Sequence, residues 1–139
     1  MTENIYLPRT GGDLGFAGFS AEKQPGRTWR LDIEHGRTTG LTDGADALRQ
    51  AIYLILNVER YRYPIYSYGY GVELSDLFGK SRDYVMSEVK RRITEALTQD
   101  DRVTGVDGWR FEADKKSVIV TFTVHSIYGD IESTKEVVI

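Results

Sequence analysis

Apolar positions recur along this chain with two different periods, and the changes of period mark its elements. From Gly44 onward, Leu48, Ala51, Ile52, Ile55 and Leu56 return every three or four residues, the stripe of a helix packed on a core. Asp43 precedes it as an N-cap, and the pattern breaks at Glu59-Arg60. A second helix is predicted from a Ser81 cap through Thr98. It carries a row of Val85, Val89, Ile93 and Leu97, widened by Met86 and Ala96. Its outer face pairs Glu88 with Arg92 and Arg91 with Glu95 at ion-pair spacing.

Elsewhere the period is two. Trp29, Leu31 and Ile33 alternate with polar residues as a half-buried strand would, His35-Gly36 offers a turn, and Arg37 to Leu41 can return as a second strand. After a turn-rich passage, QDDRVTGVDG, three strands are expected. Trp109 and Phe111 alternate with Arg110 and Glu112. Val118, Val120, Phe122 and Val124 share one face of the next strand, and STKEVVI closes the chain after a turn at Gly129-Asp130. The grouping implies an α+β fold: a small antiparallel sheet, hairpin included, with two main helices on one face.

Between the helices lies RYRYPIYSYGYG, which holds five of the chain's nine tyrosines. Pro64 forbids regular helix there, and Gly69 and Gly71 supply backbone freedom. Interleaved Arg and Tyr suit a protein contact, internal packing or stacking on bases. Glu59 and Arg60, where the helix stops, are expected to pin this irregular backbone. The connector VELSDLFGK should turn Leu74, Leu77 and Phe78 to the core. Residues 1–26, with scattered Gly and Pro but also Ile5, Tyr6, Leu7, Leu14, Phe16 and Phe19, read as an arm on a domain of residues 27–139. The arm either folds back on its own domain or docks on a neighbour.

Composition narrows the function classes. A net charge of -3 does not suit wrapping of nucleic acid, and no run approaches the ~20 apolar residues of a membrane span. The first residues lack the pattern of a signal peptide, so the chain is expected to be made in a cytoplasm. There are no cysteines, and the two histidines, His35 and His125, lie far apart in sequence, so no zinc site or other cofactor is expected. A glycosidase would need paired carboxylates, for which Glu59 with Glu73 or Asp76 are the candidates. Pairing of Glu59 with Arg60 or Arg62 would spoil it as an acid. No enzyme is expected.

One stretch carries a resemblance. GADALRQAIYLILNVERYRYPIYSYGYGVELSDLFGK resembles the small baseplate wedge proteins of contractile phage tails. Their pattern is a helix I-x-x-I-L-x-T-x-x-G-E-R, then a Pro, an aromatic, a Gly and Leu-x-x-Leu-Phe. Ile52, Ile55 and Leu56 match the helix, Glu59-Arg60 the Glu-Arg, Pro64, Tyr68 and Gly69 the following part, and Leu74, Leu77 and Phe78 the close. Relatives include the sheath-initiator subunit of type VI secretion systems, and the XkdS-like branch of prophages and phage-tail bacteriocins looks nearest. The likeness covers roughly residues 41–126. Val58 replaces the family's Gly before Glu-Arg, and Asp100-Asp101-Arg102-Val103 stands for a Glu-Pro-Arg-Ile docking motif that has lost its Pro here. The family's old lysozyme label has no counterpart in these residues.

The resemblance implies a structural baseplate subunit, present in several copies in a six-fold particle and assembled in the host cytoplasm. Its partners would be the sheath protein and wedge subunits, with the tail tube or hub as further candidates, and neither nucleic acid nor membrane. It would bind the wedge and template the first ring of a sheath that grows by strand exchange. The expected interface residues are Glu59, Arg60, Tyr61, Tyr63, Pro64, Tyr68, Gly69, Asp100, Asp101, Arg102, Val137, Val138 and Ile139. The last three form an edge strand that a partner could extend. The competing reading is a regulatory or chaperone-like module that grips one partner with its Tyr segment.

Overall fold

The computed structural model describes residues 25–139. Its order is β1 (Thr28–Asp32), β2 (Arg37–Thr42), α1 (Gly44–Asn57), a 3-10 turn (Ser75–Leu77), α2 (Arg82–Thr98), β3 (Val103–Ala113), β4 (Ser117–Ser126) and β5 (Gly129–Val138). The fold is α+β, with both sheets antiparallel. The expected arm lies almost wholly outside the described residues.

β4 is the centre of a three-stranded sheet ordered β3-β4-β5. Its Val118, Val120, Phe122 and Val124 are fully buried, and both helices lay their stripes on that face: Leu48, Ile52, Ile55 and Leu56 from α1, and Val85, Val89, Ile93 and Leu97 from α2. Register carries the pattern across the sheet. Val137, Lys135, Ser133 and Ile131 of β5 stand beside those four residues and point inward with them. Glu136, Thr134, Glu132 and Asp130 therefore face out. The opposite edge, β3, bulges between Asp107 and Arg110, where Gly108 takes φ +65 and Trp109 swings in to stack on Phe122 at 4.9 Å.

Several expectations change. The hairpin β1-β2 does not join the larger sheet but forms its own two-stranded ribbon. Trp29 on the ribbon and Ile33 in its turn are exposed, at 62% and 55%, because no second layer covers the ribbon among the described residues. It is held by Gln50 of α1, which accepts from the Leu31 N–H at 2.9 Å and donates to the Trp29 carbonyl at 2.8 Å. β3 begins at Val103, inside the passage expected to be turns, and the β4-β5 turn is Ile127-Tyr128 rather than Gly129-Asp130. Leu74 and Leu77 are buried, but Phe78 is 70% exposed. The Asp43 carboxylate accepts from the Gly44 N–H at 2.7 Å, whereas Ser81 precedes α2 without a side-chain cap bond.

Candidate assembly interface

The expected interface residues fall on three surfaces: the Tyr segment, the turn between α2 and β3, and the β5 edge.

The Tyr segment is an irregular loop closed at its base. Val58, the helix cap, is extended at φ -101, so no glycine is needed there; the left-handed residue comes three positions later, at Tyr61 with φ 67. The two arms of the loop meet through Val72 N–H to the Val58 carbonyl at 3.0 Å and Arg60 N–H to the Val72 carbonyl at 3.3 Å. Arg60 extends its half-buried side chain to the Gly71 carbonyl at 3.2 Å and to Glu95 of α2 at 3.0 Å. The Glu59 carboxylate accepts from the Leu74 and Ser75 N–H groups, each at 3.1 Å, and from the Ser75 hydroxyl at 2.7 Å. Thus Glu59 is bonded to backbone, not to Arg60 or Arg62 as expected. Asp76 is held by Arg92, whose guanidinium lowers the carboxyl's pKa. These carboxylates brace the loop.

Beyond this base the rings order one another. Tyr61 and Tyr68 lie 4.6 Å apart, and Tyr66 stacks on Tyr70 at 4.6 Å and 16°. Tyr70 is the inner anchor; burial, with Tyr66 and Asp100 nearby, pushes its phenol pKa up. Residues 61–68 are all exposed, including Pro64, and Ile65 reaches 85%. Gly69 backs onto Gln99, so the loop adjoins the α2-β3 turn. There Arg102 grips Asp100 with two side-chain bonds of 2.9 and 2.7 Å, and the arginine lowers that carboxyl's pKa. Asp101 remains exposed. Asp100 and Arg102 are thus mutually satisfied, and Asp101 is the member of the trio that faces solvent.

The third surface is the edge of β5, which has no neighbouring strand among the described residues. A groove of about 780 Å³ runs between it and α1, floored by Ile52 and Leu56 and walled by Tyr53. Residues 130–136 line it without a gap, inward and outward positions alike, so it follows the strand's edge rather than one face. A second hollow of about 460 Å³, sharing Leu56, Asn57, Lys135 and Glu136, carries the groove on past Val137 and Val138 to the exposed ring of Phe78. Val137 itself is buried and pairs with Val118, Ile139 donates to the Lys116 carbonyl at 2.9 Å, and Val138 is 58% exposed. Glu59 and Arg62 line the far end, which makes the Tyr loop and the strand edge neighbours. Tyr53, Ile65, Phe78 and Lys135 were not among the expected site residues. An apolar residue off the helical stripe, as Tyr53 is, was the one available signal.

Among the described residues, no cluster of His, Asp and Glu could hold a metal ion, and no helix is long and apolar enough to cross a membrane. Residues 27–129 match the family described as the contractile injection system sheath initiator. The phage-like element PBSX protein XkdS of Bacillus subtilis (strain 168) is 37% identical over 110 residues, covering 76% of this chain and 78% of that protein. A match over most of the domain, with that identity over a comparable length, fixes kinship and a structural role in a contractile tail: the chain belongs to the contractile injection system sheath initiator family.

Proposed function

We propose that this subunit starts the sheath by accepting a strand of the first sheath ring along β5, while its Tyr loop and the Asp100-Asp101-Arg102 turn hold it on the baseplate wedge. The observation that carries this is the groove beside β5, lined along its length by the edge strand and faced first by α1 and then by Leu74, Ser75 and Phe78. An edge strand offers unpaired N–H and C=O groups, and a strand laid there gains main-chain bonds for affinity and side-chain pockets for register. A sheath that grows by strand exchange needs such an acceptor before its first ring can form.

The exposed tyrosines with Pro64 and Ile65 are the contact rich in area, and Asp101 supplies charge beside it. Glu59, Arg60, Gly69, Asp100 and Arg102 shape these surfaces from behind. Val137 and Ile139 contribute backbone and core to the strand edge, and Val138 contributes its side chain. The role is structural, without catalysis, in several copies around the tail of a virion or phage-tail-like particle assembled in the cytoplasm of the host.

A pair of proline substitutions tests the reading. In an antiparallel strand the N–H groups of successive residues point to opposite sides, so one of Ser133 and Thr134 donates to β4 and the other faces the groove. Ser133→Pro and Thr134→Pro should therefore differ, one unfolding the chain and the other leaving it folded. Particles carrying the folded variant should show bare tubes on complete baseplates by electron microscopy. A full sheath on those particles would refute strand addition at β5.

A further inference from the structure

Resting on that reading of the β5 edge, we infer that the strand it accepts is an extended segment of about six or seven residues, apolar on the side facing α1 and basic on the outward side. Length follows from the groove, where seven residues at ~3.4 Å each give an edge of roughly 24 Å. The face code follows from what lies on each side. Residues of an added strand sit beside those of β5 that point the same way. Outward, β5 presents Asp130, Glu132 and Glu136, with Thr134 between them. Glu136 has no ion-pair partner among the described residues, whereas Glu132 is shared with Arg110 and Asp130 with His125. A cation arriving outward therefore meets one free carboxylate and two that are only half engaged.

Inward, the added strand would lie against Ile52, Tyr53, Leu56 and, at its end, Phe78. Beside residues 130–136 the charges on that side are positive, and the carboxylate of Glu59 enters only at the far end. Arg49 lines the groove from α1, and Lys135 points under the strand to Asn57. A basic residue facing inward would be repelled there, and an acidic one facing outward would be repelled by the carboxylates. The two faces thus demand opposite chemistry, which fixes register as well as affinity, because a slip by one residue swaps the faces.

The same charges argue against a second copy of this chain as the occupant. In a two-fold antiparallel pairing centred on Thr134, Glu132 of each copy would stand opposite Glu136 of the other. Like charges directly opposite destabilise a strand pair.

End-capped heptapeptides with valine at odd positions and lysine, threonine or glutamate at even positions, added to the full chain at low salt, test this. Binding is read from amide shifts along β5. The lysine peptide should bind roughly tenfold more tightly than the glutamate peptide, with threonine between. The double variant Glu132→Lys/Glu136→Lys should reverse that order. Equal binding by all three at β5 overturns the charge code while leaving strand addition standing. Tighter binding of the glutamate peptide overturns it as well. So does no binding by any of them at millimolar concentration, and the proline variants then decide whether the edge reading falls too.

Discussion

Lys135, on the edge strand β5, points inward and donates from Nζ to the Asn57 side-chain oxygen at the end of α1, 3.0 Å away. It stands in the row of Ile131 and Val137, both buried, where an apolar residue would be expected. Burial holds its ammonium pKa below the ordinary value. An inward charge on an edge strand is one of the devices by which sheets resist pairing with the wrong chain. On the strand-addition proposal, it would guard the edge against pairing with unselected strands.

Lys135→Val should therefore keep the fold and raise self-association. Sedimentation of the variant is expected to show apparent mass rising with concentration more steeply than for the parent chain. Identical behaviour of the two would contradict a guarding role for the lysine.

Arg60→Ala should destabilise the domain by ~1–3 kcal/mol, because it strands the Gly71 carbonyl and removes the tie to α2. Glu59→Ala should act similarly, since three donors lose their acceptor. Thermal or urea unfolding of the isolated protein checks both. An unchanged midpoint with lost assembly would move Arg60 from support to interface.

Gly71 sits at φ +88, and a Cβ there would meet the Val58 carbonyl oxygen at 2.4 Å. Gly79 has a comparable φ of +77 but open space around it. Gly71→Ala should thus cost well over the ~1–2 kcal/mol of a left-handed alanine, and Gly79→Ala no more than that. Equal losses in urea unfolding would show that the Val58 contact yields.

These contrasts mark what could be read in advance. Both helices were legible to within a residue, because their stripes carry Leu48 to Leu56 and Val85 to Leu97 on one face. So was the buried face of β4. The start of β3 was not, since Gly105 and Gly108 weaken the alternation that a bulge lets Trp109 restore. Phe78 looked like core by its hydrophobicity alone, yet it follows a 3-10 turn that already buries Leu77. An edge position for the final strand was expected from its sequence, and among the described residues β5 does end the sheet. The inward direction of Lys135, which decides how that edge behaves, needed the register with Val120. Glu59 and Arg60 were readable as braces of the loop but not their partners, because Glu95, Gly71 and Ser75 lie 11 to 35 residues away.

On the outward face, His125 bridges the sheet, with Nδ1 2.6 Å from Asp130 and Nε2 2.7 Å from Asp107. Those two carboxylates, Asp130 first, raise its pKa above the ordinary 6.5. A raised folded-state value means that the contribution is complete below pH 6.5 and is lost as pH rises through the higher folded value. Stability of the parent chain should accordingly decline across that window relative to His125→Gln. Parallel pH profiles for the two proteins would remove the clamp.

The chain contains no cysteine, so a single one is an unambiguous probe of where the sheath meets it. Thr134→Cys sits mid-strand on the β5 edge, and Lys90→Cys sits on the exposed face of α2. Each can be incorporated into particles and treated with a short thiol-to-amine cross-linker before the products are identified by mass spectrometry. Cross-links from position 134 to the sheath subunit, and none from position 90, are the expected result. Sheath cross-links from position 90 alone would contradict a sheath seeded along β5.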